Sequence, residues 1–79
     1  MFWYYEMLEE TPNGYIYKYS TDDDSLDGII EYNKFEDESS VIRPSRIDVG
    51  SERRQIKALQ SFANVILEGF PAKREVCCG

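Results

Sequence analysis

Apolar and polar side chains alternate along the first third of the chain. Residues 2–10 (FWYYEMLEE) and 15–20 (YIYKYS) are rich in aromatic and β-branched residues, and TPNG lies between them. That pattern predicts two strands joined by a tight turn. Pro12 presets a turn φ, and Gly14 suits a left-handed position after it. A type I turn with a glycine bulge would pair Thr11 with Tyr15, Met7 with Tyr19 and Glu9 with Tyr17. One face of the hairpin then carries Trp3, Tyr5, Met7, Tyr15, Tyr17 and Tyr19, and is expected to be the core face. The other carries Tyr4, Glu6, Leu8, Ile16, Lys18 and Ser20 and is partly wet.

Two further strands are expected at residues 28–34 (GIIEYNK) and 40–43 (SVIR), separated by the acidic turn EDES. A four-strand meander in simple register would align Glu6, Lys18, Glu31 and Arg43 as a row of alternating charge on the wet face.

From Ser51 the period changes to that of a helix. Ile56, Leu59, Phe62, Ala63, Ile66 and Leu67 recur at helical spacing and are expected to face the sheet. Ser51 is the expected N-cap, with Glu52 in the first turn. Gly69 suits the left-handed C′ position, Phe70 the apolar position after it, and Pro71 prevents continuation. The tail KREVCC predicts a last short strand, whose pairing the pattern leaves open. The fold class is therefore α+β: a four-stranded antiparallel meander, one amphipathic helix packed on one face and a short C-terminal strand, in the order β-β-β-β-α-β, as one domain over residues 1–79.

Composition narrows the functional classes. The chain has 79 residues, 42% hydrophobic and 30% charged, with six Tyr, four Phe and one Trp. So short a chain buries only about 60% of its unfolded surface, and aromatic residues must supply most of its core. No apolar run reaches the ~20 residues that span a bilayer. The N-terminal residues lack the basic leader of a signal peptide. A cytoplasmic protein with no membrane association is expected. Cys77 and Cys78 are adjacent, form no CxxC pattern and fit no prenylation box, so they read as small apolar groups of a terminal strand.

The net charge of −6 is uneven: residues 1–50 carry twelve acids and four bases, residues 51–79 three acids and five bases. An acidic balance opposes nucleic-acid binding, which needs cations to replace counterions. It leaves room for a protein partner.

The stretch DDSLDGIIEYNK, from Asp23, resembles an EF-hand calcium loop in part. Asp23, Ser25 and Asp27 occupy the first three ligand positions and Gly28 the turn. Lys34, however, stands where the loop needs a bidentate glutamate, and the residues before it have strand pattern. An acidic turn is the expectation, with no metal and no cofactor. The chain has no histidine and no glycine-rich phosphate loop, so no catalytic residues and no enzyme activity are expected. Two surfaces remain as candidates. Arg43, Arg46, Arg53, Arg54 and Lys57 gather near the helix start and suit an anion or another small ligand. Tyr4, Glu6, Leu8, Ile16 and Lys18 share the wet sheet face and suit a protein partner or a second copy of the chain. The leading expectation is a small acidic, non-catalytic protein-interaction module, with self-association as its finer form.

Overall fold

The structure is a computed structural model that describes residues 2–21, 25–46 and 48–77. Five strands and one helix follow in the order β1 (Phe2–Thr11), β2 (Gly14–Ser20), β3 (Gly28–Asn33), β4 (Glu38–Arg43), α1 (Glu52–Leu67) and β5 (Lys73–Cys77). They form one antiparallel sheet ordered β4-β3-β2-β1-β5, with α1 packed on one side. The meander and the covering helix match the pattern in the sequence. β5 pairs with β1, setting Val76 opposite Trp3 on the core face.

The first hairpin departs from its expected turn. Thr11 pairs with Gly14, not Tyr15, around a two-residue loop. Gly14 is therefore a strand residue, not a left-handed turn residue. A Cβ there would stand 1.8 Å from the Tyr32 carbonyl oxygen of β3, so the close approach of that strand requires glycine. The ladder then shifts by one residue between Met7 and Glu9. Leu8 and Glu9 together oppose Ile16, Met7 pairs with Tyr17, Tyr5 with Tyr19, and Glu6 with Lys18. The bulge keeps the aromatic face facing the core and takes Glu9 off it, contrary to its expected place opposite Tyr17. The expected charge row is also corrected. Lys18 pairs with Ile29, and Ile29 with Arg43, while Glu31 lies between Ile16 and Ser40.

The core is built from Trp3, Tyr5, Tyr17, Tyr19, Ile30, Tyr32, Ala58, Phe62, Val65 and Val76. Phe62 lies 5.2 Å from the Tyr17 ring edge-on and 5.4 Å from that of Tyr5. Buried tyrosines need partners for their hydroxyls. Tyr5 donates to the Ala58 carbonyl in mid-helix at 2.7 Å, and Tyr17 to the Pro71 carbonyl at 2.6 Å. Tyr32 donates to Asp37 Oδ1 at 2.6 Å, and the Tyr19 hydroxyl accepts from the Ser45 N–H at 3.2 Å. Gly28 makes the last contact possible, because a Cβ there would fall 2.3 Å from the Tyr19 ring.

The helix has the predicted ends. Ser51 Oγ accepts from the Arg54 N–H at 3.4 Å. At the other end the Gly69 N–H bonds the Ile66 carbonyl and the Phe70 N–H that of Val65, with Gly69 at φ 81°. This is the Schellman pattern. Phe70 then stacks on Tyr15 at 4.0 Å and packs against Tyr32 at 5.0 Å with the rings tilted by 45°. The buried face is rotated from the expected one. Ala58, Ser61, Phe62 and Val65 are buried and Leu59 and Ile66 partly so, whereas Ile56 is 47% and Leu67 83% exposed and Ala63 is exposed. At 100° per residue the apolar positions span an arc of roughly 200°, wider than one sheet covers.

Candidate functional site

Among the described residues the sheet has a helix on one side and no element packed on the other. Along β1 and β2 this face presents Tyr4, Glu6, Leu8, Ile16 and Lys18, the five residues expected together. Leu8 is 55% exposed at the bulge, and Tyr4, Glu6, Ile16 and Lys18 are half-buried. Period-two alternation fixes this side, and the bulge turns Leu8 and Glu9 together toward it. Lys18 Nζ and Glu6 Oε1 stand 3.6 Å apart at the centre of the patch. Phe2 extends it, 6.5 Å from the Tyr4 ring, and Ile29 flanks Lys18 from β3. Where β1 meets β5, a hollow of about 360 Å³ is lined by Tyr4, Glu6, Lys73 and Glu75 together with Leu26 of the β2–β3 loop. Phe2, Ile29 and Leu26 join the patch only through the observed pairing and loop path. Ile29 had a signal, alternation from Ile30, but needed the register of β3.

The five cations near the helix start do not share one anion site. Arg43 Nε donates to the Asp27 carbonyl at 3.1 Å, and Arg46 pairs with the Asp27 carboxylate at 3.8 Å. Arg54 Nε donates to Asp48 Oδ1 at 2.9 Å, with its guanidinium 5.9 Å from the Trp3 ring centroid. Arg53 and Lys57 have no acidic partner among the described residues. They line a shallow hollow of about 380 Å³ with Glu52, Ile56 and Gln60.

Asp48 was not singled out by pattern, because it lies between two apolar residues in a connection with neither strand nor helix period. Its side chain is fully buried, its carbonyl accepts from Gln55 Nε2 at 3.2 Å, and its N–H bonds the Ser45 carbonyl. The β4–α1 connection thus folds around a carboxylate whose charge Arg54 balances. Tyr19 lies in the same polar end of the core. Its phenol is pushed up to about 12, first by burial; the charges of Asp48 and Asp27 add to the effect, and the Ser45 N–H opposes it. Burial pushes Tyr17 up to about 12 as well, with Tyr15 adding to the effect.

In the acidic stretch, Asp23 lies outside the described residues. Gly28, Ile30 and Glu31 belong to an extended strand, Ile30 is in the core, and the Asp27 carboxylate is taken by Arg46. Among the described residues no group of three or more acidic or cysteine side chains converges as metal ligands would. No helix among them is long and apolar enough to cross a membrane. Cys77 is an exposed free thiol opposite Phe2, and Cys78 lies outside the described residues. No family model matches the chain, and no curated protein or solved structure is significantly similar to it.

Proposed function

We propose that the protein is a small, acidic, non-catalytic interaction module that self-associates through the open face of its sheet. One observation carries this reading: among the described residues five strands share a single helix, and the face that none of them covers sets Phe2, Tyr4, Leu8, Ile16 and Ile29 around one ion pair. An apolar patch rimmed and crossed by charge has the composition of a modest protein interface. In a two-fold dimer the patch meets itself, so Glu6 of one copy reaches Lys18 of the other and exchanges an internal ion pair for two intermolecular ones. Exposed pairs add little affinity and instead fix register. Apolar contact by Leu8 and Tyr4 supplies the driving force.

Sedimentation equilibrium at micromolar concentration tests the reading. The wild type is expected to be a dimer and Leu8→Glu a monomer with unchanged circular dichroism. A wild type that stays monomeric refutes self-association through this face. A Leu8→Glu chain that remains as dimeric as the wild type places the interface elsewhere.

A further inference from the structure

The helix presents a second apolar surface, on the opposite side of the sheet. Ile56, Ala63 and Leu67 lie on its outward flank, and Leu59 and Ile66 lead from them into the core. At the N-terminal end this flank opens into the hollow where Arg53 and Lys57 border Ile56. The hollow sets one apolar side chain, Ile56, among two cations that pair with no described acid, with Glu52 and Gln60 completing its lining.

The chain carries a group of the opposite kind. The β3–β4 turn reads Lys34-Phe35-Glu36-Asp37-Glu38, and Phe35 is 74% exposed. The turn is held from within. Asn33 Oδ1 accepts from the N–H groups of both Phe35 and Glu36, Asp37 takes a left-handed φ of 49°, and Tyr32 holds the Asp37 carboxylate. A fixed loop that holds a phenylalanine in water, with Glu36 and Glu38 exposed beside it, is preorganised for contact.

The two features cannot meet within one molecule. Tyr32, which anchors the turn, packs against Phe70 just past the end of α1, whereas the hollow is at the helix start. A 16-residue helix is about 24 Å long. They can meet between copies. Two helices antiparallel about a two-fold axis near their middle would set the C-terminal end of one, beside its β3–β4 turn, toward the N-terminal hollow of the other.

We propose that Phe35 of one copy seats in the Ile56 hollow of a second, with Glu36 and Glu38 against Arg53 and Lys57. The contact is small and polar at its rim, so it is weak, salt-sensitive and visible at high concentration. Together with the open sheet face it gives the chain two self-contacts on opposite sides, and assembly can pass beyond a dimer.

The test uses the full chain with Leu8→Glu, which removes the sheet-face contact. Amide NMR spectra are recorded from micromolar to millimolar concentration. Shifts are expected at residues 34–38 and along α1, with at least tenfold weaker association in Phe35→Ser, in Arg53→Glu/Lys57→Glu and in Glu36→Lys/Glu38→Lys. Combining the two charge reversals in one chain is expected to restore association. A Leu8→Glu chain whose spectrum does not change with concentration overturns the proposal. So does Phe35→Ser within twofold of its parent, or a charge swap that restores nothing. Each of these results leaves the sheet-face reading intact, since that reading is decided by the wild type against Leu8→Glu at micromolar concentration.

Discussion

The rotation of α1 about its axis decides which side chains stabilise the domain, and three substitutions measure it. Val65 is fully buried and Leu67 is 83% exposed. A helix rotated to centre its apolar arc on the sheet would instead set Val65 and Leu67 at its two edges, equally far from the core. Val65→Ala removes two methyl groups from the core at about 0.8 kcal/mol each, before any cavity left behind. Alanine's better helix propensity returns roughly 0.5 kcal/mol, so the net loss is about 1–2 kcal/mol. Leu67→Ala deletes more atoms from a position in water and should stay within about 0.5 kcal/mol of the wild type. Phe62→Ala is the severe case: the ring is fully buried against Tyr5 and Tyr17, and its loss should cost roughly 3–5 kcal/mol. A domain of this size holds only roughly 4–12 kcal/mol in total. Urea unfolding followed by the fluorescence of Trp3, which is buried and the only tryptophan, reads all three. At about 4–8 °C per kcal/mol the melting temperatures separate clearly. Equal losses in Val65→Ala and Leu67→Ala, or a cooperative Phe62→Ala with an almost unchanged midpoint, would refute this packing.

Asp48→Ala should cost about 3 kcal/mol, at the low end for breaking a buried pair because Arg54 keeps access to water. Arg54→Ala should cost more than Arg53→Ala in the same denaturation assay, since Arg53 has no acid to leave behind. Alkaline titration probes the phenols: Tyr17 and Tyr19 have folded values near 12 against about 10 for an exposed phenol. Their contribution is complete below pH 10 and is lost as pH rises toward 12, because only the unfolded chain ionises readily in that window. Tyrosinate absorbance should therefore rise in two stages, with the second coinciding with loss of far-ultraviolet ellipticity, and a single stage near pH 10 with the fold intact would contradict their burial.

The element order was legible because each element announces its own period and its own stops. Alternating aromatics marked β1 and β2, and Gly69-Phe70-Pro71 ended α1 at the expected residue. What the pattern could not show was how elements count against one another. The bulge at Leu8 adds one residue to β1, and nothing local to the residues 7–9 announces it; its motive lies in β2, where Tyr17 must face inward while Glu9 must not. The same limit shifted Glu31 out of the charge row, since that register depends on Gly14 pressing against the carbonyl of Tyr32. The five interface candidates needed only strand parity, and parity survives a two-residue shift in register. The five cations needed to be known one by one, and the structure divides them between Asp27, Asp48 and water.

The helix flank remains exposed for a reason found in the core. Four tyrosines carry most of the buried sheet face, and their hydroxyls must be bonded where they end. Tyr5 finds its acceptor in the Ala58 carbonyl and Tyr17 in the Pro71 carbonyl, so the sheet grips α1 at its middle and just past its end. Asp48 and Arg54 fix the start. These directional contacts set the rotation of α1 more narrowly than apolar burial does, because an arc of roughly 200° could be buried almost equally well at several rotations. Hydrogen bonding therefore selects Val65 over Leu67 for the core and leaves Ile56, Ala63 and Leu67 turned outward. A core of phenylalanines in the same places would lack these anchors and could let α1 roll its greasier side inward. The tyrosines thus hold the fold and, by the same bonds, keep an apolar strip available to a second molecule.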